Sequence, residues 1–199
     1  STPKPSSAAS DVYKRQSERL IEFVQIMQSV GKTDYTLDLL GERWSKLMIN
    51  CMANPLAGLT GWGTSKVRTE TITQNIAIQI AAEVVKVAKS SGFKMGKIMG
   101  MDPIDFIDGA NGKKLEEIKS QFLEAANLAG SLSRPSFGQD VLKKRRTEID
   151  YLTGYVSKVG KRNRVPTPFC NKITEIVNNL GVGFDPSPDH LKDLERMLP

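Results

Sequence analysis

An all-α domain of many helices is the architecture that this sequence predicts. Apolar residues recur at steps of three and four through most of the 199 residues, which is the spacing of one helix face. No run alternates apolar and polar residues for long enough to build a sheet. Hydrophobic residues make up 39% of the chain and charged residues 25%. These values are ordinary for a globular protein and exclude bulk disorder, collagen and coiled coil.

Two helices are predicted before the first proline break. Residues 17–30 carry apolar residues at helical spacing until Gly31 ends the helix, and residues 32–36 are assigned a short extended piece. Residues 37–54 form a second helix, which Pro55 bends or stops. Its buried stripe consists of Leu37, Leu40, Trp44, Leu47 and Cys51.

Glycines and a very apolar stretch follow. Gly58, Gly61 and Gly63 predict a loop or irregular turn. Residues 69–91 read as a long helix that is apolar on most faces, so we expect it to be buried at the centre.

The remaining helices are predicted from their start signals. Asp102 and Pro103 supply an N-cap and a first-turn proline, and residues 115–129 form the next helix. Two capping boxes are predicted, at Ser136 with Gln139 and at Thr147 with Asp150. The stripe that follows the second box consists of Ile149, Leu152, Val156 and Val159. The last two predicted helices cover 167–180 and 188–197.

Few side chains are available for metal or histidine chemistry. Cys51 and Cys170 are too few for a disulfide framework or a four-ligand zinc site, so we expect reduced thiols. His190, the single histidine, follows a helix start at 187–189 and is expected at the surface. No metal site is predicted.

The net charge of +6 has three readings. Basic clusters at 143–146 and 158–164 fit nucleic-acid binding, solvated helix faces or attraction of an anionic substrate. Aromatic residues are only 7% of the chain and several lie on predicted buried stripes, so no nucleic-acid partner is predicted.

Membrane insertion and secretion are not predicted either. The longest uncharged stretch, 47–65, contains two asparagines, a proline and three glycines, which are costly in lipid. Residues 1–10 lack the apolar core of a signal peptide. We expect a cytoplasmic location, and the absence of an initiator methionine suggests a processed or truncated product.

No nucleotide-binding motif is complete. Gly31, Lys32 and Thr33 match the end of a phosphate-binding loop, but position 26 is isoleucine where glycine is required. The pair Gly61 and Gly63 lacks the third glycine and the preceding strand of the dinucleotide fingerprint.

One helix face carries residues suited to catalysis. Lys46, Asn50 and Asn54 lie at i, i+4 and i+8, beside the apolar stripe. A lysine half-sheltered by apolar surface can donate a proton near neutral pH. The two amides can bind a hydroxyl or a carboxylate. A polar helix edge without special function is the alternative.

The surrounding residues resemble a known family. Residues 44–56, WSKLMINCMANPL, resemble the pattern W-x-K-L-x-x-N-x-x-x-N-P-L at the start of the helical C-terminal domain of ketopantoate reductase. Residues 136–154 resemble the family's S-x-x-x-D and R-x-T-E-I-D-x-[LI]-x-G stretch. Residues 165–168 fit its G-[IV]-x-x-P ending, although Arg164 replaces the usual glycine. The resemblance covers about residues 36–178.

The resemblance implies a fold and a reaction. The fold is an all-α C-terminal domain of the 6-phosphogluconate-dehydrogenase-like type. The implied divisions are a flexible segment at 1–16, a remnant of a Rossmann domain at 17–36 and a helical substrate-binding and dimerisation domain at 37–199. The reaction is reduction of 2-dehydropantoate to pantoate with NADP(H), most of whose contacts come from a dinucleotide-binding domain that this chain lacks. The implied partners are a 2-oxo acid and, through the helical domain, a second copy.

The resemblance also implies residue roles. Lys46 is the general acid that protonates the developing alkoxide, and Asn50 and Asn54 hydrogen-bond the substrate. Ser136 contacts the substrate. The remaining two assignments are Thr64, which stands where the family has a substrate-binding asparagine, and Glu148, which lies by the cofactor or caps a helix.

Two functions outside this reading stay open. One is an inactive helical dimerisation or interaction module that kept the family residues. The other is a basic helical protein that binds nucleic acid.

Overall fold

The computed structural model describes residues 17–128 and 134–199, and every regular element in these ranges is helical. The only pairing of extended backbone there is an isolated bridge between Ile98 and Met101. The all-α prediction is therefore confirmed, while the predicted segment 1–16 lies outside the described residues. In chain order the α-helices are α1 (Glu18–Gln28), α2 (Leu39–Thr60), α3 (Thr64–Thr69), α4 (Thr71–Ser90), α5 (Pro103–Ala110), α6 (Leu115–Leu128), α7 (Ser136–Leu142), α8 (Thr153–Asn163), α9 (Pro168–Leu180) and α10 (Lys192–Arg196). Two short 3₁₀ segments span Ile149–Tyr151 and Pro188–Leu191.

Helix α4 lies at the centre of the domain. It packs against α2, α5, α8 and α9, which is the placement predicted from its nearly continuous apolar surface. The fully buried residues that it supplies to the core include Ile76, Ile80, Ala81, Val84, Val87 and Ala88. The described part of the chain contains no helix with the length and apolarity needed to span a bilayer.

Helix α2 continues beyond the proline at which a stop or bend was predicted. It passes through Pro55 and ends at Gly61, whose backbone is left-handed with φ 73°. A proline in a helix interior costs about 3 kcal/mol. Every residue from 54 to 60 is buried, so packing offsets this cost. The loop predicted at Gly58 is therefore wrong, because the prediction used local propensity alone.

Gly58 allows two helices to approach closely. A side chain at this position would place its Cβ 2.5 Å from Cε1 of Phe137, far inside van der Waals contact. Phe137 is fully buried in α7. The missing side chain therefore lets α7 lie directly against α2.

We expect Gly58→Ala to destabilise the domain. Overpacking a core typically costs about 1–3 kcal/mol, which exceeds the gain of about 1 kcal/mol in helix propensity. Gly138→Ala in the facing helix is a matched control, because its Cβ would meet nothing closer than 3.9 Å. Urea unfolding of both variants measures the difference. Equal stability of Gly58→Ala and wild type would contradict the tight contact.

The helix predicted over 69–91 is confirmed as α4 (Thr71–Ser90), and a short helix that was not predicted precedes it. Helix α3 precedes α4, and Glu70 between them is extended with ψ 126°. The sequence analysis did not predict α3, because six residues contain too little periodicity to be recognised.

The predicted helix starts had mixed outcomes. At α5, Asp102 occupies the N-cap position and Pro103 follows it in the first turn, as predicted. The capping box at Ser136 is wrong, since Pro135 occupies the N-cap of α7 and makes no side-chain cap bond. The box at Thr147 is also wrong, because a 3₁₀ segment without a side-chain cap begins there.

A buried carboxylate from α4 caps α9. Glu83 Oε1 accepts from the N–H of Phe169 and Oε2 from the N–H of Cys170, each at 2.8 Å. The first N–H groups of a helix have no partner within the helix, so Glu83 satisfies two of them from another element. Burial raises the pKa of Glu83 more than these two bonds lower it.

Apolar side chains near the start of the described chain are exposed. In α1, Phe23 is 57% exposed and Ile26 is 60% exposed. Leu37 and Leu40, predicted in the buried stripe of α2, are exposed as well, so that part of the stripe was wrong. Residues 32–36 form no strand. An apolar surface this concentrated is typical of a face that another element covers.

Candidate functional site

An open cleft of about 380 Å³ lies where α2, α3 and the start of α7 meet. Five residues singled out by sequence line it, although Lys46 and Ser136 are ninety residues apart. The residues that line the cleft are Lys46, Ile49, Asn50, Ala53, Asn54, Thr64, Arg68, Pro135 and Ser136. The structure thus brings together every predicted substrate-contacting residue.

Three local features bring these side chains together. Lys46, Asn50 and Asn54 share one face of α2 because successive members are four residues apart. Thr64 begins α3 directly after the turn at residues 61–63. Ser136 begins α7, which reaches α2 through the close contact at Gly58.

The start of α2 is fixed by an aromatic cluster. Trp44 is buried and stacks on Phe93, with ring centroids 5.7 Å apart. Its ring centroid also lies 6.0 Å from that of Tyr155 in α8. This packing anchors the helix turn that carries Lys46.

Burial differs along the face of α2 that carries Lys46, Asn50 and Asn54. Asn54 is 9% exposed, Asn50 is half-buried, and Lys46 is exposed. The prediction of a half-sheltered lysine is therefore wrong for this domain alone. Helix spacing fixed the direction of the side chain, whereas its exposure depends on what faces the cleft.

Ser136 is paired with Glu148. Its Oγ donates to Glu148 Oε1 at 3.1 Å, which places a carboxylate at the edge of the cleft. Glu148 occupies the N-cap position of the segment Ile149–Tyr151 but makes no side-chain cap bond there. Of the two roles considered for Glu148, helix capping therefore has no support from its contacts.

Arg68 is a cleft residue that the sequence analysis missed. Its Nη1 donates to the carbonyl oxygen of Ala125 at 2.7 Å, and partial burial lowers its pKa from the ordinary value. Arg68 lies four residues after Thr64, so both share one face of α3. The spacing of four residues between Thr64 and Arg68 was the signal that could have predicted Arg68 as a cleft residue. It could be used only if a helix was known to begin at Thr64.

A small apolar pocket of about 70 Å³ adjoins the cleft. It shares Ile49, Ala53 and Arg68 with the cleft. Its other lining residues are Met52, Val67, Ala77, Met99 and Phe122. Arg68 thus stands between a polar cleft and an apolar pocket.

The remaining candidates for chemistry are less suitable. A cavity of about 480 Å³ lies between α4, α5 and the final residues Leu198 and Pro199, away from every motif residue. Cys51 and Cys170 are buried, and burial raises the pKa of both thiols, which disfavours thiolate chemistry. Within 17–128 and 134–199, no three His, Cys, Asp or Glu side chains gather as metal ligands.

Sequence comparison identifies relatives over most of the chain. Residues 38–181 match the family model described as ketopantoate reductase PanE/ApbA C terminal. A 2-dehydropantoate 2-reductase from Pyrobaculum aerophilum is 28% identical over 147 residues, which is 74% of this chain and 46% of the relative. The chain therefore spans about half the length of the relatives it matches.

Solved structures share the fold. D-mandelate dehydrogenase with NADH and anilino(oxo)acetate has a TM-score of 0.60 at 18% identity, covering 92% of this chain and 51% of that one. The dimeric ketopantoate reductase from Staphylococcus aureus has a TM-score of 0.59 at 12% identity, covering 83% and 51%. At these identities the likeness shows the fold.

Proposed function

The chain belongs to the ketopantoate reductase family through its C-terminal domain, and from this we propose that it is the substrate-binding half of an NADPH-dependent 2-oxo acid reductase. The reaction that we propose is reduction of 2-dehydropantoate to pantoate. The observation that carries the proposal is the cleft, in which Lys46, Asn50 and Ser136 meet although they come from two separate motifs.

Lys46 is the proposed general acid. When a carbonyl carbon receives a hydride, negative charge develops on its oxygen. A positioned ammonium stabilises this charge and then transfers a proton from Nζ to the oxygen. Lys46 is exposed in the open cleft, so we expect the second half of the enzyme to cover it and exclude water, which strengthens such an interaction.

Asn50, Asn54, Thr64 and Ser136 are the proposed substrate-binding residues. Amides and hydroxyls both donate and accept hydrogen bonds, so they suit the hydroxyl and carbonyl oxygens of a 2-oxo acid. Thr64 has a shorter side chain than the family's asparagine at this position, and it offers a hydroxyl instead of an amide.

Among the described residues, one carboxylate suits the ribose of a nicotinamide cofactor. Glu148 lies at the edge of the cleft, where its carboxylate can accept hydrogen bonds from ribose hydroxyls. NADPH, when bound, supplies the hydride. Within residues 17–128 and 134–199 no strand precedes a glycine-rich turn and a helix, which is the arrangement that normally holds a dinucleotide pyrophosphate. Most cofactor contacts are therefore assigned to a dinucleotide-binding half.

We expect the 199-residue chain to bind NADPH weakly or not at all, because its described residues form no strand, turn and helix that would hold the pyrophosphate. Calorimetric titration of the chain with NADPH measures this directly. A dissociation constant in the micromolar range would show that these residues suffice to bind NADPH. It would contradict the assignment of most cofactor contacts to a dinucleotide-binding half.

Residues 17–36 are proposed as the last part of that dinucleotide-binding half, and residues 37–199 as the helical domain. The exposed apolar residues of α1, with those at Leu37 and Leu40, support this division. They form a surface that a preceding domain would cover. The match covers only 46% of the Pyrobaculum aerophilum relative, which is consistent with such a domain.

A homodimer formed through the helical domain is also part of the proposal. A structural neighbour is described as a dimeric ketopantoate reductase. Sedimentation equilibrium of the gene product that contains these residues measures its oligomeric state.

The decisive experiment measures NADPH oxidation with 2-dehydropantoate. It uses the gene product that contains these residues, with the 199-residue chain in parallel. Turnover by the gene product supports the proposed reaction. Absence of turnover with correct folding would favour the alternative, a helical interaction module that kept the family residues without activity.

A further inference from the structure

We propose that Arg68 binds the carboxylate of the 2-oxo acid in the cleft, an inference that rests on the proposed function. The cleft holds two cationic side chains, Lys46 and Arg68, and they come from different helices. None of the residues lining it in the described part of the chain is acidic. A 2-oxo acid presents a carboxylate beside the oxygen on which charge develops, so two negative sites meet two cations.

The assignment of the two cations follows from their chemistry. A general acid must carry a transferable proton, which an ammonium can release and a guanidinium cannot under ordinary conditions. A guanidinium offers a planar fork that matches both oxygens of a carboxylate. Lys46 is therefore assigned to the reacting oxygen and Arg68 to the carboxylate.

The contacts of Arg68 leave donors for this task. Among the described residues only Ala125 accepts from its guanidinium, and that bond uses Nη1. Beside the cleft, Arg134 Nη1 donates to the carbonyl oxygen of Gly61 at 3.0 Å, which engages that cation with the turn before α3. Ser136 already donates its hydroxyl to Glu148, which makes it a poorer carboxylate ligand than a guanidinium.

The surroundings of Arg68 strengthen its interaction with an anion. It borders the apolar pocket as well as the cleft, and it is half-buried. Charges attract more strongly where water is partly excluded. Its bond to Ala125 fixes one end of the fork, so less side-chain freedom is lost when a ligand binds.

A purely structural role is the competing explanation. Ala125 lies in the last turn of α6, where carbonyl groups lack helix partners and a cation is favourable. Loss of this bond would weaken the fold, and it would then reduce activity equally for charged and neutral ligands. A test must therefore separate recognition of the carboxylate from loss of structure.

The experiment compares 2-dehydropantoate with its neutral primary carboxamide in the gene product that contains these residues. For Arg68→Met we expect kcat/KM for the acid to fall about 100-fold, the range for losing a charge-assisted hydrogen-bonded pair. The carboxamide should change by less than threefold. Arg68→Lys, which keeps the charge without the fork, should lose about 10-fold on the acid alone. Lys66→Met is the matched control, because it removes another cation from α3. The Lys66 ammonium lies over the ring of Trp62, 4.5 Å from its centroid.

The outcomes separate the inference from the proposed function. The role of Arg68 would be overturned if Arg68→Met lost kcat/KM equally for the acid and the carboxamide. It would also be overturned if Lys66→Met lost as much kcat/KM for the acid. Both outcomes would leave the proposed reaction intact. Calorimetric binding of pantoate is measured beside turnover. Arg68-dependent binding without turnover would uphold carboxylate recognition and overturn the proposed reduction. If Arg68→Met does not fold, the acid-to-carboxamide ratio of Arg68→Lys decides: a tenfold shift supports the assignment and no shift overturns it.

Discussion

Replacing Lys46 with alanine is expected to lower kcat for the proposed reduction by about 100-fold or more, the usual effect of removing a positioned acid. In its proposed role the Lys46 ammonium acts mainly as the alkoxide forms, so its interaction would be stronger in the transition state than in the ground state. KM should therefore change much less than kcat. Steady-state kinetics with 2-dehydropantoate and NADPH measures both constants.

Two further variants show whether the effect is specific to Lys46. Asn50→Ala should act mainly on KM, because a hydrogen bond to bound substrate is formed before the chemical step. Lys86→Ala removes an exposed cation from α4 and should leave both constants within threefold of wild type. A kcat for Lys46→Ala within threefold of wild type would exclude Lys46 from the mechanism.

Replacing Glu83 with alanine is expected to lower the free energy of unfolding by about 2–6 kcal/mol. The change leaves the N–H groups of Phe169 and Cys170 without their acceptors. Each unsatisfied buried donor costs about 1–3 kcal/mol. Urea unfolding at neutral pH measures the loss. Gln79→Ala, which removes one half-buried bond to Ala110, is the control and should cost about 1 kcal/mol.

Glu83→Gln tests the same cap by its pH dependence. Glutamine keeps one acceptor oxygen, so about 1–3 kcal/mol should be lost. Because burial raises the pKa of Glu83, the folded state favours the protonated carboxyl. The stabilisation linked to this titration is fully present below about pH 4.3, the ordinary value, and is lost as the pH rises through the raised value. The advantage of wild type over Glu83→Gln should therefore shrink as the pH rises above about 4.3, and an increase would contradict the raised pKa of Glu83.

The sequence predicted the helices whose periodicity is long and failed where tertiary contacts outweigh local preference. The buried centre at α4 could be read from its continuous apolar residues. The continuation of α2 through Pro55 could not, because burial of the following turn overrides the cost of the proline. The serine at 136 fits a local capping box, yet its hydroxyl binds Glu148 twelve residues away.

The site was predictable to the extent that its residues lie in sequence motifs. Helix spacing places Lys46, Asn50 and Asn54 on one face, and the second motif supplies Ser136. Their meeting in one cleft depends on the contact between Gly58 and Phe137, which no local pattern encodes. Arg68 was missed because its place depends on where a six-residue helix begins.

The two tryptophans make this domain a natural fluorescence probe. Trp44, enclosed between Phe93 and Tyr155, should emit at short wavelength because water is excluded from its indole. Trp62 is only half-buried and has the Lys66 ammonium over its ring, so its emission should lie further to the red. Since Trp44 lies two residues before Lys46 in α2, changes at the blue edge of the spectrum report on the helix that carries Lys46, Asn50 and Asn54. Changes at the red edge report on the turn before Thr64, so one emission scan follows both walls of the cleft without any attached dye.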